Sequence, residues 1–196
     1  AVTPAFAKVS ADEAAKLKTT LTPVGAERAA NKDGSIPKWE GGLTKAPACF
    51  KPSGWYCDPF AADKPKFTIS KANLDQYKAS LTDGQRAIFA KYGDTYKMNV
   101  YQTRRTGAFP DFVYEATAKN AVTAETGGGG EAISGAVVGI PFPIPKTGNE
   151  PIWNHKFRYR GVGIDRWNVQ AAVTTGGEAN ITKIHEQVRF LYDTKG

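Results

Sequence analysis

The chain has 196 residues, of which 41% are hydrophobic, enough for a modest core in one large domain or two small ones. No apolar run approaches the roughly 18 residues that a membrane-spanning helix needs, so the sequence predicts no transmembrane segment. The net charge of +7 does not indicate nucleic-acid binding, because the basic residues are dispersed and no known nucleic-acid-binding motif occurs. The 20 glycines and 12 prolines favour turns and short strands over a helical bundle.

Residues 1–93 are predicted to form a helical and loop-rich N-terminal region. Ser10 and Glu13 have the spacing of a capping box, in which each side chain bonds the backbone of the other residue. This box predicts a helix that runs to about Leu21. Residues 31–47 are rich in glycine and proline and predict a turn-rich surface segment.

Two more short helices are predicted in the same region. Ser70 is placed to cap the segment KANLDQYKASL, and Thr82 with Gln85 forms a second capping box. Gly93 follows this last helix and suits the left-handed conformation that often ends one.

Cys49 and Cys57 enclose the loop FKPSGWY, which Pro52 and Gly54 are expected to turn. A loop this short can bring two sulfur atoms within bonding distance, and two cysteines fit one disulfide in an oxidising compartment. Free thiols are the alternative. A metal site would need further ligands in the loop, which offers none.

The chain opens with AVTPAF, small residues of the kind that remain after a signal peptide is cut. We therefore expect a mature, exported protein in the periplasm, with a trimmed chain as the alternative. In that compartment, dispersed positive charge would meet anionic lipid headgroups or an acidic protein face.

Residues 94–196 are predicted to be the β-rich part of a single domain. Their predicted elements are a half-buried strand at 95–103, a helix with Pro110 as its first residue, a strand at 152–159 and a hairpin with arms at 164–173 and 181–192. The last arm alternates between apolar and polar residues, which predicts a sheet with one wet face. Because that arm would leave an unpaired edge, we expect further strands from another segment and a domain that is incomplete at its C-terminus.

A four-glycine run at 127–130 precedes the sequence IPFPIP at 140–145. Proline cannot donate to a sheet ladder and restricts the residue before it, so IPFPIP is predicted to be an extended ribbon. It would present Ile140, Phe142 and Ile144 either to the protein's own core or to an apolar ligand. The glycines supply backbone freedom, so the whole segment is predicted to be a movable rim.

Three long blocks of the sequence closely resemble one family. They are ADEAAKLKTTLTPVGAERAANKDGSIPKWEGGL at 11–43, DTYKMNVYQTRRTGAFPDFVYEATAKNA at 94–121 and GIPFPIPKTGNEPIWNHKFRYRG at 139–161. In this order they are similar to the domain-of-unknown-function family 1329, exported proteins of Gram-negative bacteria. The resemblance implies an α+β fold with a curved, half-open antiparallel sheet and several short helices, similar to periplasmic and outer-membrane lipoprotein carriers. Family members are longer, so we expect this chain to be an N-terminal portion.

The sequence does not predict an enzyme. His155 and His185 are the only imidazoles, and neither lies in a metal-binding or nucleophile motif. The glycine run follows a predicted helix, so it is not a phosphate-binding loop. His155, on the aromatic face of its strand, is predicted to be a hydrogen-bonded core residue, and His185 is placed on the polar face of the last arm. No metal or cofactor is expected.

The predicted function is the binding of lipid or another hydrophobic ligand, with transport between membranes as the carrier-like role. The side chains proposed to line the ligand site are Met98, Val100, Ile140, Phe142, Ile144, Trp153, Phe157 and Tyr159. The alternative for these residues is that they pack in a solvent-free core, since the sequence pattern is the same in both cases. The alternative is a protein-protein interaction module of an outer-membrane or export assembly, which uses its sheet edge and its proline-rich ribbon.

Overall fold

The computed structural model describes residues 8–52 and 56–193, so the opening residues 1–6 and the turn at Gly54 lie outside the described residues. The chain divides into two compact units. Ala30–Gly107 forms one unit, and the described parts of Ala1–Ala29 and Ala108–Gly196 form the other, which we call the larger unit. The predicted boundary between residues 93 and 94 falls inside the first of these.

The fold is α+β, as predicted. The helices are α1 (Ala11–Ala15), α2 (Asp83–Tyr92), α3 (Asp111–Thr123) and α4 (Asn149–Lys156), with single 3₁₀ segments at Lys16–Lys18, Leu74–Ser80, Gly128–Gly130 and Leu191–Asp193. The strands are β1 (Phe67–Ile69), β2 (Met98–Val100), β3 (Glu125–Gly127), β4 (Ala132–Ser134), β5 (Gly163–Val173) and β6 (Ala179–Arg189). They pair as β1–β2, β3–β4 and β5–β6, all antiparallel. The described strands therefore lie in three small open sheets rather than in one curved sheet.

The capping box at the start of α1 is confirmed, because the Glu13 N–H donates to Ser10 Oγ and the Ser10 N–H donates to the Glu13 carboxylate. The helix is shorter than predicted and tightens into a 3₁₀ turn after Ala15. The β-branched Thr19 and Thr20 follow this turn, and such residues lose side-chain freedom in a helix. Local capping thus fixed the start of the helix but not its end.

The second predicted helix begins later than expected and is a 3₁₀ segment. Asn73, not Ser70, precedes it, and the Asn73 side chain bonds the backbone of both Ser70 and Thr68. The capping box at the start of α2 is confirmed. Gly93 has right-handed, not left-handed, geometry. A side chain there would overlap the carbonyl of Phe89, so close contact rather than backbone conformation explains the glycine.

The core of the unit Ala30–Gly107 contains one face of the predicted strand at 95–103. The paired strand is only Met98–Val100, but Tyr96, Met98 and Val100 all pack on the buried side chains of Ile69, Leu81 and Phe89. The period-2 pattern therefore identified the buried face correctly, and this face lies in a packed core.

Helix α3 supplies the centre of the larger unit. Pro110 stands just before the helix, not at its first position. The sequence predicts Phe112, Val113 and Ala116 as the packing face of this helix, but of these only Val113 is fully buried. The other buried side chains of the helix are Thr117, Asn120 and Ala121. The buried stripe is therefore partly polar, which a search for apolar spacing misses.

The predicted hairpin is confirmed as β5 and β6, with Trp167 opposite His185 and Val173 opposite Ala179. The expectation of one buried face is wrong, because both faces are largely exposed. The reason is that the alternation of apolar and polar residues shifts by one position along each strand. Near the open end of the hairpin, the apolar residues Ile164 and Val188 lie on one face. Near the turn, the apolar residues lie on the other face.

The Cys49–Cys57 disulfide is confirmed, with Cα atoms 6.0 Å apart. Because it closes a short loop in a turn-rich segment, we expect oxidation to stabilise the fold by about 2–3 kcal/mol through the lost entropy of the unfolded chain. Urea denaturation with and without reductant measures this difference. Intact mass after alkylation of the denatured, unreduced protein is the control, and two alkylated cysteines would contradict the prediction.

Over residues 8–52 and 56–193, no helix has the length and apolar character needed to cross a membrane.

Candidate functional site

The centre of the IPFPIP ribbon is buried, so Phe142 faces the protein's own core, one of the two surroundings that were expected, while Ile140 and Ile144 are partly buried. Phe142 is only 3% exposed and packs against Ala124 and Trp153. Asn154 fixes its backbone from both sides: the Phe142 N–H donates to Asn154 Oδ1 at 2.8 Å, and Asn154 Nδ2 donates to the Phe142 carbonyl at 2.7 Å. The backbone polar groups of Phe142 are therefore satisfied by a side chain and not by another strand.

Helix α3 holds the preceding residues of the ribbon. The Ile140 N–H donates to Thr117 Oγ1 at 3.0 Å, and Asn120 Nδ2 donates to the carbonyl of Val138 at 2.7 Å. Gly139 sits so close to Thr117 that a Cβ would overlap its hydroxyl. These contacts place the start of the ribbon firmly against α3, so it does not form a movable rim.

The predicted strand at 152–159 is wrong, because helix α4 occupies Asn149–Lys156. Glu150 is fully buried and nucleates this helix, since it accepts hydrogen bonds from the Lys146 N–H at 2.7 Å and from Thr147 Oγ1 at 2.8 Å. Thr147 and Glu150 have capping-box spacing, and Pro151 follows at a position that tolerates proline. This signal was present in the sequence, but the alternation of aromatic residues obscured it.

The four-glycine run is part of the turn between β3 and β4. Gly128, Gly129 and Gly130 all have positive φ, which glycine adopts without strain. Trp153 Nε1 donates to the Gly130 carbonyl at 2.8 Å. The glycine run is therefore a turn that is hydrogen-bonded to α4, whereas a free hinge was expected.

The aromatic residues predicted to line a ligand wall pack against one another in the larger unit. The Trp153 and Phe157 rings stack with centroids 5.5 Å apart, and Phe157 also contacts Tyr192 at 4.5 Å. Tyr159 lies in a separate group with its ring edge-on to Phe109 and Phe112.

The eight predicted ligand-lining residues are thus not all brought together. Met98 and Val100 belong to the core of Ala30–Gly107, and the remaining six belong to the larger unit. There, Phe142, Trp153 and Phe157 form one connected group, while Ile144 packs on the cluster around Val9, Leu17 and Ala121.

A group of exposed apolar side chains lies on one face of the β5–β6 hairpin. Trp167, Val169, Val173 and Ile181 are 70%, 60%, 71% and 58% exposed, and the register puts all four on the same face. We call these four residues the hairpin apolar face. None of them was among the predicted site residues, although the alternation from Trp167 to Val173 was a visible signal.

His185 lies at the open end of the same face and is exposed, as expected for a residue on the polar face of the last arm. Its ring stacks on Trp167 with centroids 4.5 Å apart, and its Nε2 lies 2.8 Å from Asp165 Oδ1. Hydrogen bonds from Gln187 and then His185 hold the pKa of the Asp165 carboxyl below its usual value. These contacts therefore favour the ionised carboxylate, and the stability that they contribute falls as pH drops through this lowered pKa.

His155 is exposed, so the prediction that it is a core residue is wrong. It is on α4, and its backbone carbonyl accepts a hydrogen bond from Arg158 at 2.6 Å. Within the part of the chain that the structure describes, no three His, Cys, Asp or Glu side chains are grouped so as to hold a metal ion.

The fold and these surfaces define a mixed α+β protein with one disulfide and an exposed apolar hairpin. A family described as "Protein of unknown function (DUF1329)" matches residues 68–196. The chain is also 45% identical over 193 residues to an uncharacterized protein of Pseudomonas aeruginosa. The chain belongs to this family. The match covers 98% of the chain but 42% of the relative's length, and no solved structure gives a significant match.

Proposed function

We propose that this protein binds a lipid or another hydrophobic ligand without catalysis and that the hairpin apolar face contacts the acyl chain. The observation that carries the proposal is the exposure of Trp167, Val169, Val173 and Ile181 on one face. Contiguous exposed apolar surface on a soluble protein is typical of a binding site.

The shape of this face suits an extended chain. From Trp167 to Val173 it runs for about 20 Å along β5, at about 3.4 Å for each residue. Near the turn, the opposite face of the hairpin carries polar side chains at Gln170, Thr182 and Asn180, so in that half of the hairpin the apolar side chains lie on one side. An acyl chain laid along the strand would remove four large side chains from water.

We further propose a periplasmic location, associated with the outer membrane, and a carrier-like role in transport. The Cys49–Cys57 disulfide supports an oxidising compartment. Under this proposal, the six predicted wall residues of the larger unit do not line the ligand.

A second candidate function is strand addition to a protein of an outer-membrane or export assembly. In the described residues, β5 and β6 pair only with each other, so each presents one edge. Unpaired edges accept strands from other chains. The proline-rich ribbon does not support this candidate, because it is buried.

Replacement of Val169 and Val173 by threonine should weaken binding of a fluorescent fatty acid about tenfold or more, because each substitution places a hydroxyl group against an acyl chain. Threonine keeps the shape and the strand preference of valine. The matched control changes Val137 and Val162, which are 55% and 54% exposed but lie outside the hairpin, to threonine.

Fluorescence titration of both double variants measures this effect. Equal affinities for the two variants would contradict the proposal, and so would the lack of saturable binding by the wild-type protein. A stable complex with another protein that forms in the absence of lipid and needs the hairpin edges would favour strand addition.

A further inference from the structure

A separate cavity of about 340 Å³ lies in the larger unit between α4 and the glycine turn. It is lined by Gly130, Glu131, Asn149, Ile152, Trp153 and Lys156. Four of these residues follow the spacing of one helix face, so the cavity extends along α4 for about 10 Å at 1.5 Å for each residue. It does not include any residue of the hairpin apolar face.

The walls of the cavity are fixed by contacts within the protein. Trp153 Nε1 donates to the Gly130 carbonyl at 2.8 Å, and Asn149 Nδ2 donates to the Gly129 carbonyl at 3.3 Å. A Cβ at Gly130 would overlap the Asn149 amide, so the glycine leaves the space that Asn149 occupies. Fixed walls reduce the entropy lost when a ligand binds.

Two opposite charges line this cavity. Lys156 Nζ lies 4.5 Å from the centroid of the Trp153 ring, which places the ammonium group over the indole. Glu131, the residue next to Gly130, also lines the cavity. In the described structure these two groups form no ion pair with each other, so each can meet a ligand group of opposite charge.

We propose that this cavity binds a small zwitterionic group that carries a primary ammonium and a phosphate or carboxylate. Glu131 accepts hydrogen bonds from the ammonium, and Lys156 donates to the anion. The Asn149 amide and the backbone of the glycine turn supply further polar contacts. Charged partners at two separate points distinguish this ligand from a simple anion or cation.

Two sources carry this chemistry: a phosphoethanolamine lipid headgroup and a free amino acid. Isothermal titration calorimetry with glycerophosphoethanolamine and with glycine distinguishes them. We expect saturable binding of at least one, and the tighter ligand identifies the source. Ethanolamine alone and inorganic phosphate alone should bind at least about tenfold more weakly, because each satisfies only one of the two charges.

Glu131→Gln and Lys156→Gln should each weaken binding of the zwitterion on the order of tenfold. Glu178→Gln and Lys119→Gln are matched controls at exposed positions away from the cavity, and thermal denaturation checks that all four variants are folded. The proposal is overturned if neither zwitterion binds, if a single-charge probe binds as tightly, or if the cavity variants behave like the controls. Acyl-chain binding at the hairpin is independent of these outcomes.

Discussion

Replacement of Phe142 by alanine should lower the free energy of unfolding by about 3–5 kcal/mol. Phe142 is almost fully buried among Ala124, Ile133 and Trp153, so truncation removes apolar contacts and leaves a cavity. The bonds from Asn154 hold the backbone of the ribbon in place and limit how far it can collapse into that cavity. Urea denaturation followed by circular dichroism measures the loss.

Val137→Ala is the matched control, because this side chain lies in the same stretch of chain but is more than half exposed. We expect it to change stability by less than about 0.5 kcal/mol, as is usual for an exposed site. A Phe142→Ala protein as stable as this control would show that the ribbon is not part of the core.

Asn120→Ala should cost about 2–4 kcal/mol of stability. The Asn120 amide donates to the carbonyls of Val138 and Ile140, and its oxygen accepts from the Val137 N–H at 3.4 Å. Alanine makes none of these bonds and leaves polar backbone groups buried without this partner. The same denaturation experiment measures the effect.

Asn180→Ala serves as the control for this change, because Asn180 is exposed on β6. A small effect there and a large one at Asn120 are the expected pair of results. Similar losses for both would mean that the contacts between α3 and the ribbon contribute little to stability.

The parts of the fold that the sequence predicted are those decided by local chemistry. The capping boxes at Ser10 and Thr82 need only residues three positions apart, and the disulfide closes a short loop. The β5–β6 hairpin also has a local signal, since two alternating strands flank a glycine-rich turn.

Helix α4 shows where this reasoning fails. Trp153, Phe157 and Tyr159 alternate with polar residues, which is a strand pattern, whereas Thr147 and Glu150 have the spacing of a helix start and bond to each other just before and within α4. In so short a segment the two signals compete, and the buried carboxylate of Glu150 favours the helix. The sequence offers no measure of which side chain will be buried.

The ribbon shows a second limit. Its prolines fix an extended backbone wherever it lies, so they do not distinguish an exposed rim from a buried segment. Its position depends on Asn154, Thr117 and Asn120, which are distant in sequence. The hairpin apolar face was missed for a related reason, since exposure depends on what covers a strand and not on its pattern.

Quenching of tryptophan fluorescence by a brominated fatty acid tests the central claim most directly, because bromine quenches only indoles close to the acyl chain. Trp167 is one of four tryptophans in the chain and the one on the hairpin apolar face. We predict saturable quenching of the wild-type protein that is mostly lost in Trp167→Phe and retained in Trp39→Phe. Quenching that is unchanged in Trp167→Phe would place the acyl chain elsewhere and contradict the proposed function.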